Sequence, residues 1–140
     1  MTDKLFVILT EPKKIKKEIK RVSNRIEDLR LMMLPSAIRY DADKVMSSPS
    51  DPMMKFAERL DELEKEKSKL AVKYIESTDR VIDLSNELTE DSMKDVIQWR
   101  FIRSLKPYQI AKELGYSERQ VYRIYGEAIE ELEKLVIECQ

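Results

Sequence analysis

Apolar residues recur along the first part of the chain at Ile15, Ile19, Val22, Ile26, Leu29 and Met33. The steps alternate between four and three residues, which places these side chains on one stripe of a helix and makes a heptad seam. The pattern predicts a helix from about Glu11 to Leu34, with Thr10 as N-cap, Pro12 in the first turn and Pro35 as the stop. A second seam follows at Met53, Phe56, Leu60, Leu63, Leu70, Tyr74, Val81, Leu84 and Leu88, with Lys67 and Ser77 standing at seam positions. Asp51 is its expected N-cap, with Pro52 at the first helical position. No glycine or proline interrupts Met53 to Leu88. At 1.5 Å per residue the second helix spans roughly 54 Å and the first roughly 35 Å.

Two such seams in succession predict an all-α chain whose residues 1–88 form a long antiparallel hairpin, or a coiled-coil oligomer. The longer helix then overhangs its partner. Val81, Leu84 and Leu88 need a cover, either from the C-terminal segment or from another subunit. Self-association through these residues or the C-terminal tail is therefore expected.

Residues 89–140 read as a separate module. Thr89 suits an N-cap, and Glu90 and Asp91 suit a first turn. Met93, Val96, Ile97, Phe101 and either Trp99 or Arg100 supply the apolar face. The stretch "PYQIAKELGYSERQVYRIYGEA", residues 107 to 128, has the features of a helix-turn-helix. Pro107 opens a short helix, and Ala111 is small where a second helix must come close. Gly115 can take positive φ in the turn. Ser117 caps the next helix. Ile110, Leu114, Val121 and Ile124 supply the core between them.

That placement leaves Ser117, Glu118, Arg119, Gln120, Tyr122 and Arg123 at the start or on the outer face of the second helix. Arginine can bond guanine twice and glutamine can bond adenine twice, so these residues are the candidate base readers. Arg103, Lys106, Tyr108 and Lys112 are placed to meet phosphates.

Charge distribution supports this more than net charge does. The chain carries −1 overall, but Gln98 to Gly126 holds six Lys/Arg against two Asp/Glu. Glu127 to the end holds one against five, so the tail should point away from a polyanion, and its Ile129, Leu132, Leu135 and Val136 should pack or dimerise. Pro12 to Arg30 is also basic, eight against three, which is compatible either with DNA contact or with a solvated helix face. There is no histidine, and Cys139 is the single cysteine. His-based acid–base catalysis, most zinc sites and an intrachain disulfide are thereby excluded. The apolar run Leu5–Leu9 is too short to span a membrane. A soluble, cytoplasmic, non-enzymatic protein without metal or cofactor is the expectation.

The C-terminal stretch "DVIQWRFIRSLKPYQIAKELGYSERQVYRIYGEAIEEL" resembles the fourth region of bacterial sigma factors, which binds an upstream promoter element. Upstream, "IEDLRLMMLPSAIRYDADKVMSSPSDPM" resembles a prophage family of Gram-positive bacteria related to ArpU-type and RinA-type late transcription regulators. Together the two similarities cover most of the chain after about residue 11. They imply a phage-type transcription regulator that binds double-stranded DNA at a promoter, with host RNA polymerase as a partner. "SLKPYQIAKEL" departs from the sigma pattern, because it lacks the usual glycine–hydrophobic–serine lead-in. The first motif helix is therefore expected to be approached differently. No promoter-melting region is recognisable, so a complete sigma factor is not expected.

The competing reading is a DNA-packaging adaptor of the small-terminase kind, which also joins a helix-turn-helix to a coiled coil. An enzyme finds less footing, because the acidic residues are accounted for as solvated helix faces and caps. Residues 35–51 interrupt the two long helices with a segment longer than a hairpin needs. They either reverse the chain or form a recognition tip from Arg39, Tyr40, Lys44, Ser47, Ser48 and Ser50.

Overall fold

The structure is a computed structural model and describes residues 1–33 and 51–138. Among these residues the chain is all-helical: α1 (Asp3–Met32), α2 (Asp51–Asn86), α3 (Asp91–Phe101), α4 (Pro107–Leu114) and α5 (Glu118–Glu138). No helix among the described residues is long and apolar enough to cross a membrane. The chain divides into two compact units, one of Met1–Ile15 with Tyr74–Gln140 and the other of Lys16–Lys73.

The largest departure from the sequence expectation is the start of α1. It begins at Asp3, not near Glu11, and Pro12 lies inside it. Thr10 is therefore no N-cap; its hydroxyl donates to the Phe6 carbonyl at 2.7 Å, a bond within a continuing helix. Thr2 holds the start instead, its Oγ1 accepting from the Leu5 N–H at 3.4 Å and its carbonyl from the Phe6 N–H at 3.0 Å.

A proline inside a helix costs about 3 kcal/mol, because it removes one hydrogen bond and crowds the carbonyl four residues back. The offset is tertiary. Leu5 and Leu9 are fully buried, as is the Pro12 ring itself. Two fully buried leucines contribute roughly 3–6 kcal/mol relative to exposure. The seam also runs through this region, since Leu5, Ile8, Pro12 and Ile15 continue the three–four spacing toward the N-terminus.

In the unit containing the chain's C-terminal half, one cluster joins Leu5, Leu9, Val81, Leu88, Met93, Val96, Ile97, Ile110, Val121, Ile124, Ala128, Leu132 and Val136. Leu84, Ile129 and Leu135 pack against it. Val81, Leu84 and Leu88 thus belong to a cluster they share with residues of α1, α3, α4 and α5. Leu132 and Val136 of the tail are buried in the same cluster, with Ile129 and Leu135 packed against it. Ser77 and Ser85 are the buried polar side chains among the described residues. The Ser77 hydroxyl donates to the Tyr74 carbonyl at 2.8 Å. Ser85 donates to the Ile82 carbonyl at 2.8 Å and accepts from Gln98 Nε2 at 2.9 Å, so neither is left unsatisfied.

Thr89 is not the N-cap of α3; that position is taken by Glu90. Thr89 faces α5 instead, its N–H and hydroxyl both meeting the Glu131 carboxylate at 3.0–3.2 Å. A partner distant in sequence thus draws a residue with good capping chemistry away from the cap.

In the other unit, Val22, Ile26, Leu63 and Leu70 are buried, and Arg30 pairs with Glu64 at 2.6 Å. Lys67, at its seam position, is half-buried, which a lysine can accommodate by laying its aliphatic stem along the apolar stripe.

Candidate nucleic-acid interface

The turn between α4 and α5 is built by two residues with special backbone roles. Gly115 ends α4 at φ 72° and ψ 28°, the left-handed conformation. Its N–H and that of Tyr116 both return to the Ala111 carbonyl, the latter at 2.9 Å. A Cβ at Gly115 would meet no atom within 4 Å, so the requirement for glycine is conformational and not one of space.

Ser117 then starts α5. Its Oγ accepts from the Gln120 N–H at 3.2 Å, while Gln120 Oε1 accepts from the Ser117 N–H at 3.0 Å. This is a reciprocal capping box. At the head of α4 the arrangement is one-sided: Gln109 Oε1 accepts from the Lys106 N–H at 2.8 Å, but a lysine side chain has no acceptor to return.

The lead-in to α4 also contains a residue with a special backbone role. Ser104 sits at φ 57°, the positive-φ non-glycine position among the described residues. A serine therefore holds the backbone conformation that a glycine adopts most readily. Around it the end of α3 folds back on itself, with the Arg103 N–H donating to the Gln98 carbonyl at 3.3 Å and the Leu105 N–H to the Trp99 carbonyl at 3.0 Å.

Ala111, Ile110, Val121 and Ile124 are buried and Leu114 is half-buried, as their spacing requires. The face opposite is exposed at Ser117, Glu118, Arg119, Gln120, Tyr122 and Arg123. Arg119, Tyr122 and Arg123 stand at i, i+3 and i+4 on α5, so they share one side of the helix. Arg103, Lys106, Tyr108 and Lys112 are also exposed, Tyr108 and Tyr122 by more than half.

Arg103, Lys106, Lys112, Arg119 and Arg123 form no ion pair, as is true of most lysines and arginines among the described residues; Arg30, Arg59, Lys65 and Lys94 are the ones that do. Five exposed cations thus stand in one short stretch that also holds Glu113 and Glu118, and the N-terminal ends of α4 and α5 add a favourable field for an anion. The candidate residues are not all equally free. The Gln120 Oε1 is taken up by the capping box, which leaves only its amide NH₂ group for a ligand. Arg103 stacks over the Trp99 ring, 4.8 Å from its centroid.

Sequence reasoning missed Arg100 and Tyr125. With Val96, Pro107, Ile110, Val121 and Tyr122 they line a recess of about 290 Å³. Burial pushes the Tyr125 hydroxyl's pKa up, partly countered by the Arg100 charge. Tyr125 also stacks on Phe101 at 6.1 Å. The available signal was the placement of Arg100 three residues after Ile97 and four after Val96, which puts a cation in register with the inward face of α3.

The loop candidates Arg39, Tyr40, Lys44, Ser47, Ser48 and Ser50 lie outside the described residues. No protein-family model, curated protein or solved structure matches this chain.

Proposed function

We propose that the chain is a sequence-specific DNA-binding transcription regulator of phage type, in which α1 and α2 form an antiparallel hairpin and α4 and α5 a helix-turn-helix. The observation that carries this reading is the excess of cations around α4 and α5, six Lys/Arg against two Asp/Glu from Gln98 to Gly126, with Arg119 and Arg123 on one exposed side of the second helix. In this reading α5 lies in the major groove. Arg119 and Arg123 bond base edges, with Tyr122 beside them, while Arg103, Lys106, Tyr108 and Lys112 meet phosphates. The acidic tail from Glu127 onward points away from the duplex. The resemblance to sigma-factor and prophage-regulator sequences adds host RNA polymerase as the partner at the promoter.

The test is a salt titration of wild type, Arg119→Ala, Arg123→Ala and Lys112→Ala against a selected duplex and a scrambled one. Loss of a base-reading arginine should cost about 1–3 kcal/mol on the selected site and relax preference at one base position. Lys112→Ala should weaken binding to both duplexes and flatten the salt slope by about one, because a phosphate contact releases counterions without reading sequence. Equal losses on both duplexes for every variant would remove the base-readout assignment. Absence of binding by wild type to any duplex at low salt would remove DNA binding altogether.

A further inference from the structure

We propose that Trp99 is a positioning residue for DNA binding: it holds the Arg103 guanidinium in the orientation in which it meets a backbone phosphate. The inference rests on the DNA-binding reading of this face and adds to it a residue that lies on the core side of α3. Trp99 is half-buried and packs against the hydrophobic cluster, so its ring is fixed by the fold. Arg103 is exposed and has no carboxylate partner among the described residues. Its guanidinium carbon lies 4.8 Å from the Trp99 centroid, well within the range of a cation–π contact.

The backbone reinforces the pairing. The Arg103 N–H bonds the Gln98 carbonyl, the Leu105 N–H bonds the Trp99 carbonyl, and Ser104 between them takes positive φ. Arg103 is thereby clamped at both ends, by its main chain and by the ring under its side chain.

An arginine free in solvent loses its rotamer freedom when it grips a phosphate. One already stacked on a rigid ring has lost much of it beforehand, and its N–H edge remains open for the phosphate oxygens. Tryptophan offers the most favourable ring for this contact. Because Trp99 is the chain's single tryptophan, its emission reports on the pair without any label.

The experiment uses the full chain and a fluorescently labelled duplex, with anisotropy giving affinity and Trp99 emission read in parallel. Four proteins are compared: wild type, Trp99→Leu, Arg103→Ala and the double variant. A fifth, Trp99→Phe, keeps an aromatic face. Trp99→Leu is expected to weaken binding about two- to fivefold, the range a cation–π contact supplies at an exposed site, while keeping the salt slope because the charge remains. Arg103→Ala should weaken binding and flatten the slope by about one. In the Arg103→Ala background, Trp99→Leu should change affinity little, and Trp99→Phe in the wild-type background should recover part of the loss. Wild-type emission should shift on adding duplex, and that of Arg103→Ala should not.

If Trp99 serves only the core, Trp99→Leu will weaken binding by the same factor with or without Arg103. That additivity, with wild-type binding intact, overturns the proposal and leaves the DNA reading standing. Failure of wild type to bind any duplex overturns the reading beneath it. Circular dichroism of each variant separates both outcomes from a variant that does not fold, and in that event Trp99→Phe decides the question.

Discussion

Replacing Leu9 by alanine tests the placement of the N-terminal segment most directly. Periodicity puts the start of the first helix near Glu11, which leaves Leu9 outside it. In the structure Leu9 is fully buried in the same cluster as Leu132 and Val136. Truncating a fully buried leucine costs about 2–5 kcal/mol, the sum of lost transfer energy and a residual cavity. For a chain of this size each kcal/mol moves the thermal midpoint by about 2–4 °C, so a loss near 3 kcal/mol lowers it by roughly 6–12 °C. Phe6, only three residues away, is 56% exposed, and Phe6→Ala should stay within about 0.5 kcal/mol of wild type. Leu132→Ala, at a fully buried position of α5, serves as the positive control. Thermal and urea unfolding would be followed by far-ultraviolet circular dichroism and by Trp99 emission, since Trp99 lies against this cluster. If Leu9→Ala matched Phe6→Ala while Leu132→Ala fell by several degrees, the N-terminal turns would not belong to the core, and the offset argued for Pro12 would fail with them.

Other expectations concern the turns and one phenol. Ser104→Gly should raise stability by about 1 kcal/mol, because the left-handed conformation at φ 57° is strained for serine and free for glycine, while Gly115→Ala at φ 72° should lower it by about the same amount; urea midpoints measure both. Ser117→Ala, which removes the α5 cap, should cost about 1 kcal/mol in the same measurement. Tyr125 has its pKa raised above 10 by burial, so its neutral form contributes fully below the unfolded value and that contribution is lost as pH rises through the folded one. Wild type should therefore lose more stability than Tyr125→Phe above about pH 10, and equal slopes there would count against the burial of the phenol.

Much of the architecture is legible in the residues. The seam positions Ile15, Val22, Ile26, Leu63, Leu70 and Val81 are all buried, because three–four spacing leaves no choice of face once a helix forms. Gly115 and Ser117 do what their chemistry suits, one turning through positive φ and the other capping, since both roles are satisfied by atoms within a few residues. Gln120 was legible only in part. Its position three residues after Ser117 marks a capping box as readily as a base reader, and the structure gives its carbonyl oxygen to the box.

What the sequence by itself determined is local: helix type, seam register, the turn after α4, and where positive charge accumulates. Each follows from interactions spanning one or two turns, so the residues concerned are neighbours in the text of the chain. What only the tertiary structure decided depends on partners far apart. Pro12 is tolerated inside α1 because Leu5 and Leu9 are buried in the same cluster as Leu132 and Val136 of α5. Thr89 abandons its cap for Glu131, forty-two residues away. Val81 and Leu88 share one cluster with Leu5 and Leu9 of α1 and with Leu132 and Val136 of α5. Local propensity sets preferences of about 1 kcal/mol at a cap and about 3 kcal/mol at an interior proline, and long-range contacts, above all the burial of a few large side chains in a shared core, outweigh them.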